Sequence, residues 1–322
     1  MPEVASSQVY IDRLLSLPRP GEEKILAFYE HRLGLICTNP RLLLMPLDDH
    51  MAHRGDGVFE SLKAERGRVY LLDEHIRRLE NSANGMGLIP PCSYPEIREH
   101  VLSVARAGGE PACMLRVLLG RGPGGFGIDP AESPQNSLYI VACRFQPKAE
   151  NYYQQKCRAF RSRYPARQSG LARIKNTNYQ TGVAMLHEAR ERGLDLALLF
   201  DENDNLAEAA VSNVCLICRN ENKNGSDVKL VVPEFNRALP GTTILRLIEL
   251  LKPLIPVEVR AVQEKEIFTA LELLQTGTTV DCAPITHYEG HPIGNGKPGP
   301  WAARIRELLI QDLNTYGIKF QG

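Results

Sequence analysis

The 322-residue chain has no excess of charge in either direction: 38 lysines and arginines stand against 38 aspartates and glutamates. Without a net field it has no general attraction for nucleic acid or for an anionic membrane surface. No stretch approaches the roughly 18 consecutive apolar residues of a spanning helix, so no membrane crossing is expected. The opening MPEVASSQVY places an acid at Glu3 and has no basic start before an apolar run, unlike a secretion signal. Neither G-x-S-x-G nor G-x-x-x-x-G-K-[ST] occurs, which removes the usual signposts of serine hydrolases and P-loop proteins. Internal repeats and low-complexity tracts are also missing. Eight cysteines, at 37, 92, 113, 143, 157, 215, 218 and 282, are scattered, mostly among apolar neighbours. Read as small core hydrophobes in a reducing compartment, they predict a cytoplasmic protein.

What is present is ordinary for a globular protein: 43% apolar and 24% charged residues, in a chain long enough to bury a core without disulfides or metal. Helix and strand patterns alternate from about residue 55, predicting a mixed α and β protein. LDEHIRRLENSANGMGL (72–88) has Ile76, Leu79, Ala83 and Met86 at helical spacing. SYPEIREHVLSVARAGG (93–109) opens with a Ser93/Glu96 capping box and ends in Gly-Gly. ACMLRVLLG and SLYIVACRF read as strands. DLALLFDENDNLAEAAVSNVCLICR reads as two strands around an Asp/Asn turn at 201–205, LPGTTILRLIELLKP as turn and helix, and GPWAARIRELLIQDLNTYG as a C-terminal amphipathic helix. The polar stretch 146–156 is the best linker. It predicts a smaller N-terminal domain over 1–146, a linker over 147–156 and a larger C-terminal domain over 157–322.

Three suggestive motifs carry little. GRGPGG (120–125) matches the dinucleotide fingerprint in form, but prolines follow it instead of a helix, so a loop between strands is the better reading. C-L-I-C (215–218) sits inside an apolar strand pattern with no second C-x-x-C and reads as core packing. DDHMAH (48–53) offers two histidines and two aspartates but no converging third histidine, so a hydrogen-bonded turn is expected and no metal site.

ALPGTTILRLIELL (238–251) says more. Gly241 permits a tight turn, and two threonines then open an apolar helix whose exposed N–H groups suit a phosphate, although a plain threonine cap fits the segment as well. A second Gly-Thr-Thr follows in QTGTTVDCAPI. In LARIKNTNYQTG, Lys175 lies beside apolar Ile174, with Tyr179 four positions on.

GDGVFES, EHIRRLENSA, RIKNTNYQ, NLAEAAVSNVCLI and LPGTTILRLIELL occur in this order over more than 200 residues. Together they resemble the class IV aminotransferases, the fold-type IV enzymes of pyridoxal 5′-phosphate, which include branched-chain and D-amino-acid aminotransferases and aminodeoxychorismate lyase. The resemblance spans about 48–300 and implies an α+β, two-domain architecture like that of D-amino-acid aminotransferase, with a barrel-like C-terminal domain, the cofactor between the domains, and a homodimer. It implies that Lys175 forms the Schiff base and shuttles the substrate proton. Tyr179 meets the cofactor phenolic oxygen, and Glu208 pairs with the ring nitrogen. Arg78 binds the phosphate, with Arg77 a solvated neighbour. The N–H groups of Thr242 and Thr243 form the helix-start cradle, completed by the Thr243 hydroxyl and Thr278.

Phe59, Arg116 and Thr279 fall at substrate-binding positions. Phe59 and the GFGIDP loop resemble branched-chain enzymes, although Met114 stands where they usually carry tyrosine. The loop lacks the Arg-x-His pair of bacterial D-amino-acid enzymes. RGPGGFGI keeps the glycines of the lyases but loses an arginine and a tyrosine. DDHMAHRGDGVF and PIGNGKPG look like a plant-type subgroup linked to D-amino-acid transamination and to the lyase reaction. The expected activity is transfer of an amino group between a branched-chain or D-amino acid and a 2-oxo acid. The alternatives are aminodeoxychorismate lyase, a cofactor-binding protein without turnover, and an α/β ligand-binding module that takes no pyridoxal phosphate.

Overall fold

The computed structural model describes residues 3–221 and 226–321, and the chain separates into two compact units. The first is Met1–Gln146 together with Ile318–Gly322, and the second is Pro147–Gly317. It is an α+β structure with one sheet in each unit. Among the described residues no helix is long and apolar enough to cross a membrane.

In the first unit a helix α1 (Ser7–Ser16) precedes strands β1 (Ile25–Glu30) and β2 (Leu35–Cys37). A short helix α2 (His50–Arg54) leads into β3 (Gly57–Glu65) and β4 (Arg68–Val69). Helices α3 (Leu72–Gly85) and α4 (Tyr94–Ala107) follow, then β5 (Cys113–Gly120) and β6 (Ser137–Arg144). The strands lie side by side in the order β4-β3-β5-β6-β1-β2, all antiparallel.

Strand periodicity explains the two faces of this sheet. Val58, Glu60, Leu62 and Ala64 of β3 alternate onto one face with Cys113, Leu115, Val117 and Leu119 of β5, and all eight are essentially inaccessible. Helix α3 packs on β3, and α4 packs on β1, β5 and β6. The buried side of α3 is Leu72, Ile76, Leu79 and Ala83, at helical spacing. Helix α4 starts at its capping box: Ser93 Oγ accepts from Glu96 N, and the Glu96 carboxylate accepts from Ser93 N at 2.8 Å. Such a cap contributes about 1 kcal/mol.

The glycine-rich loop after β5 opens no helix. A Cβ on Gly122, whose φ is +95°, would lie 1.9 Å from Gln135 O, and one on Gly124 would lie 1.9 Å from Glu132 O. The glycines let the loop fold against its own return segment. The histidines of 48–53 belong to α2, where Asp49 accepts from Met51 N at 2.9 Å as the N-cap.

In the second unit β7 (Arg158–Arg161) is followed by the short helix α5 (Ser169–Ala172) and by α6 (Gln180–Glu191). Next come β8 (Leu196–Phe200), β9 (Leu206–Ala209), β10 (Asn213–Arg219) and β11 (Val228–Pro233). Helix α7 (Thr242–Leu251), β12 (Val257–Arg260), helix α8 (Glu264–Ile267), β13 (Glu272–Gly277) and β14 (Asp281–Ile285) follow. Strands β15 (His287–Tyr288) and β16 (His291–Pro292) and the long helix α9 (Pro300–Tyr316) complete it.

The ten-stranded sheet runs β12-β11-β10-β9-β8-β7-β15-β16, and β13, carrying β14, also pairs with β10. Among the described residues this path branches at β10 and ends on β12, β14 and β16. Strand β10 is buried on both faces: Val214 and Leu216 enter one apolar cluster, Cys215 and Ile217 another with α7 and α9. That is why NVCLIC reads as a continuous apolar run.

Two sequence expectations are corrected here. The segment 195–219 holds three strands, not two, because a second tight turn at 210–212 separates β9 from β10. Its residues, Ala210, Val211 and Ser212, lack the Asn/Asp/Gly signature of a turn. The stretch 147–156 is not a free linker: it contains a 3₁₀ turn, Glu150–Gln154, whose Tyr153 is buried, and it belongs to the second unit. The chain also returns to the first unit. Strand β17 (Ile318–Lys319) pairs antiparallel with β4 and becomes the edge of the first sheet.

Candidate active site

Lys175 lies in the loop between α5 and α6, on a short segment whose Ile174 is buried. Its Nζ donates to Tyr179 Oη at 3.2 Å, the two side chains meeting because Tyr179 ends the loop just ahead of α6. The close approach continues at Gly182, where a Cβ would sit 3.2 Å from Ala210 O. A larger residue there would push the first turn of α6 away from the end of β9.

Glu208, on β9, is 6% exposed. One carboxylate oxygen accepts from Leu239 N at 3.1 Å, and the other is 3.9 Å from Arg167 Nε. Burial pushes its carboxyl above the usual range, while the charges of Arg167 and Lys175 and the Leu239 N–H oppose that push without cancelling it. Arg167 also lies over the Tyr179 ring, 5.0 Å from its centre, and its Nη1 is buried with no hydrogen-bond partner among the described residues. Lys175, Tyr179, Arg167 and Glu208 thus form one connected group.

The segment beyond Leu239 leads directly into α7. Gly241 is the residue before the helix, and a Cβ on it would lie 2.0 Å from Asn213 Oδ1. Only glycine fits while Asn213 Nδ2 donates to Leu239 O at 2.8 Å. Thr242 and Thr243 are buried in the first turn, behind an N-cap glycine that has no side chain of its own. The N–H groups at such a start carry the positive end of the helix dipole. Thr278 and Thr279 lie in the turn between β13 and β14, Thr278 half-buried and Thr279 exposed. Neighbouring Gly277 approaches Ser212, so this turn borders the one that follows Glu208.

The first unit holds the other sequence candidates. Arg78 on α3 donates from Nε to Glu60 Oε1 at 2.8 Å and from Nη2 to Glu60 Oε2 at 2.7 Å, and His75 Nδ1 lies 2.7 Å from Glu60 Oε2. Burial alone would raise the Glu60 carboxyl, but Arg78 and then His75 hold it at about 2. Arg77 is exposed. Phe59 and Arg116 occupy the sheet face opposite Glu60; Arg116 is exposed and donates to Ser61 Oγ. Sequence reasoning missed Glu60, His75, Arg167 and Asn213. Glu60 alone left a legible signal, as a carboxylate in the otherwise apolar inward set of β3.

The chain matches the family model described as amino-transferase class IV over residues 57–288. It belongs to that family. It is 29% identical over 316 residues to the chloroplastic D-amino-acid transaminase of Arabidopsis thaliana, covering 96% of this chain and 82% of that protein. A putative branched-chain-amino-acid aminotransferase of Methanocaldococcus jannaschii is 28% identical over 272 residues, 84% of this chain and 92% of its own. Among solved structures, a T.th. branched-chain amino acid aminotransferase complexed with N-(5′-phosphopyridoxyl)-L-glutamate superposes with a TM-score of 0.82 at 25% identity. The match covers 91% of this chain and 95% of that one.

Proposed function

We propose that the chain is a pyridoxal-phosphate-dependent aminotransferase that moves an amino group between a branched-chain or D-amino acid and a 2-oxo acid, with Lys175 as its reactive amine. The observation that carries this reading is the Lys175–Tyr179 contact beside a buried, incompletely paired Glu208. The residues fit the cofactor. A carboxylate with one N–H partner and a distant arginine suits a protonated ring nitrogen. A helix start behind Gly241, where the backbone can approach closely, suits a phosphate.

When bound, pyridoxal phosphate supplies an aldehyde carbon for the amino group and a ring that withdraws electrons from the substrate Cα. Lys175 Nζ is the base that takes the Cα proton and returns it. Tyr179 Oη holds that nitrogen in place and accepts its hydrogen bond. Glu208 would keep the ring nitrogen protonated by charge pairing. Thr242, Thr243 and Thr278 would bind phosphate oxygens, and Arg78 would add a guanidinium already oriented by Glu60. Phe59, Arg116 and Thr279 would contact the substrate.

The exposed apolar side chains Leu33, Leu35, Ile36, Leu42, Leu44 and Leu47 of the first unit support a homodimer, which light scattering would test. Eight free cysteines support residence in a reducing compartment such as the cytoplasm.

The test loads purified protein with pyridoxal phosphate, removes the excess, and follows the cofactor absorption during titration with D-alanine and, separately, L-leucine. Conversion to the pyridoxamine spectrum by either donor, reversed by a 2-oxo acid, is the expected result and identifies the preferred stereochemistry. Pyruvate release from aminodeoxychorismate without conversion by amino donors would make the chain a lyase instead. A retained chromophore inert to every substrate would leave a binding protein. No retained chromophore would overturn the assignment.

A further inference from the structure

We propose that His31, Cys92 and His100 form a site for one divalent transition-metal ion of borderline softness, such as zinc(II). One ligand atom from each lies within 4.8 Å of the other two, and all three side chains are half-buried. They come from separate places in the first unit: the residue after β1, the residue before the α4 N-cap, and the second turn of α4. This spread hides the cluster from any motif search, and the sequence expectation of no metal site weighs only 48–53 and 215–218. Two imidazoles and a thiolate are a donor set that zinc favours over the harder oxygen-seeking cations, with a fourth position left for water.

The surroundings orient the ligands. Tyr29 Oη lies 3.1 Å from His31 Nδ1. When Nδ1–H donates to that hydroxyl, the Nε2 lone pair is available to a metal, the outer support usual for ligating histidines. The Tyr29 ring also stacks on His100 with centroids 4.5 Å apart, fixing that imidazole plane. The Glu96 carboxylate adds negative charge felt by Cys92, His100 and His31. A dication bound here would displace the Cys92 thiol proton. Coordination would tie the end of β1 to α4.

The test uses the pyridoxal-phosphate-loaded protein, stripped of metal by a chelator under reducing conditions. Zinc(II) is titrated against a chromogenic chelator, and cobalt(II) is followed by absorption. One ion per chain is expected, with a sulfur-to-cobalt charge-transfer band and the strong visible bands of a tetrahedral site. Cys92→Ser should lose the charge-transfer band, and His100→Ala should lose zinc binding. Tyr29→Phe should weaken it by about 10–100-fold. Zinc should raise the thermal midpoint of the parent protein but not of Cys92→Ser. Matching metal-free midpoints and circular dichroism would show that the variants fold. Stoichiometry near zero, or zinc binding retained in both Cys92→Ser and His100→Ala, would overturn the proposal.

Discussion

Glu60 and Glu208 are both buried carboxylates, one in each unit, and they differ in every other respect. Glu60 receives two guanidinium N–H groups and contacts an imidazole, all within 2.8 Å, and is held at about 2. Glu208 has one backbone N–H at 3.1 Å and an arginine at 3.9 Å, and its carboxyl is pushed up. Burial is therefore not what separates these two carboxylates. The number of close positive partners is. A carboxylate with its full set of donors locks a helix to a sheet, while one left short of donors has room for a further positive group.

The comparison can be broken at several points. Lys175→Ala should have the largest effect, lowering transamination by about 10²–10⁴-fold through loss of proton transfer alone, measured as oxo-acid formation. It should leave the unfolding midpoint of the cofactor-free protein almost unchanged.

Glu60→Gln should cost about 3–5 kcal/mol in denaturant unfolding, because it removes the buried negative charge that faces the Arg78 guanidinium. The sign of its pH dependence follows from a lowered carboxyl. The stability it contributes is complete above the unfolded value of 4.5 and is lost as pH falls toward about 2. The variant should show a flatter acid limb over that window.

Gly241→Ala should cost about 1–3 kcal/mol by driving a methyl group into Asn213, and should weaken cofactor retention on desalting.

Glu208→Gln sharpens the contrast most, although its stability effect is the smallest. A raised carboxyl costs stability once ionised, a cost absent below the unfolded value of 4.5 and complete above the folded one. The cofactor-free variant should therefore be more stable than the parent near neutral pH, while its activity falls. A destabilised Glu208→Gln would erase the distinction between the two carboxylates.

Much of the scaffold was legible because local signals agreed. The α4 cap needs only Ser93 and Glu96, and α7 needs only a glycine followed by an apolar period. The turn at 210–212 was not legible, since Ala210 and Val211 carry no turn chemistry and Ser212 alone is a weak signal; the bond from Ala209 N to Ser212 O closes it. Within the candidate site, Lys175, Tyr179 and Glu208 could be named because each sits in a short ordered motif. Arg167 and Asn213 could not, because what marks them is an approach in space: a guanidinium over Tyr179 and an amide oxygen against Gly241. The His31, Cys92 and His100 cluster escaped for the same reason.

The two-residue strand β17 has a consequence for how the molecule is made. Synthesis proceeds from the N-terminus, so the first sheet loses its exposed β4 edge only after every residue of the second unit has been polymerised. Until residues 318–319 have been made, a nascent chain presents an unpaired strand edge where another chain could add. Replacing Ile318 by proline would keep that edge open in the finished product, and the fault would emerge as self-association during expression.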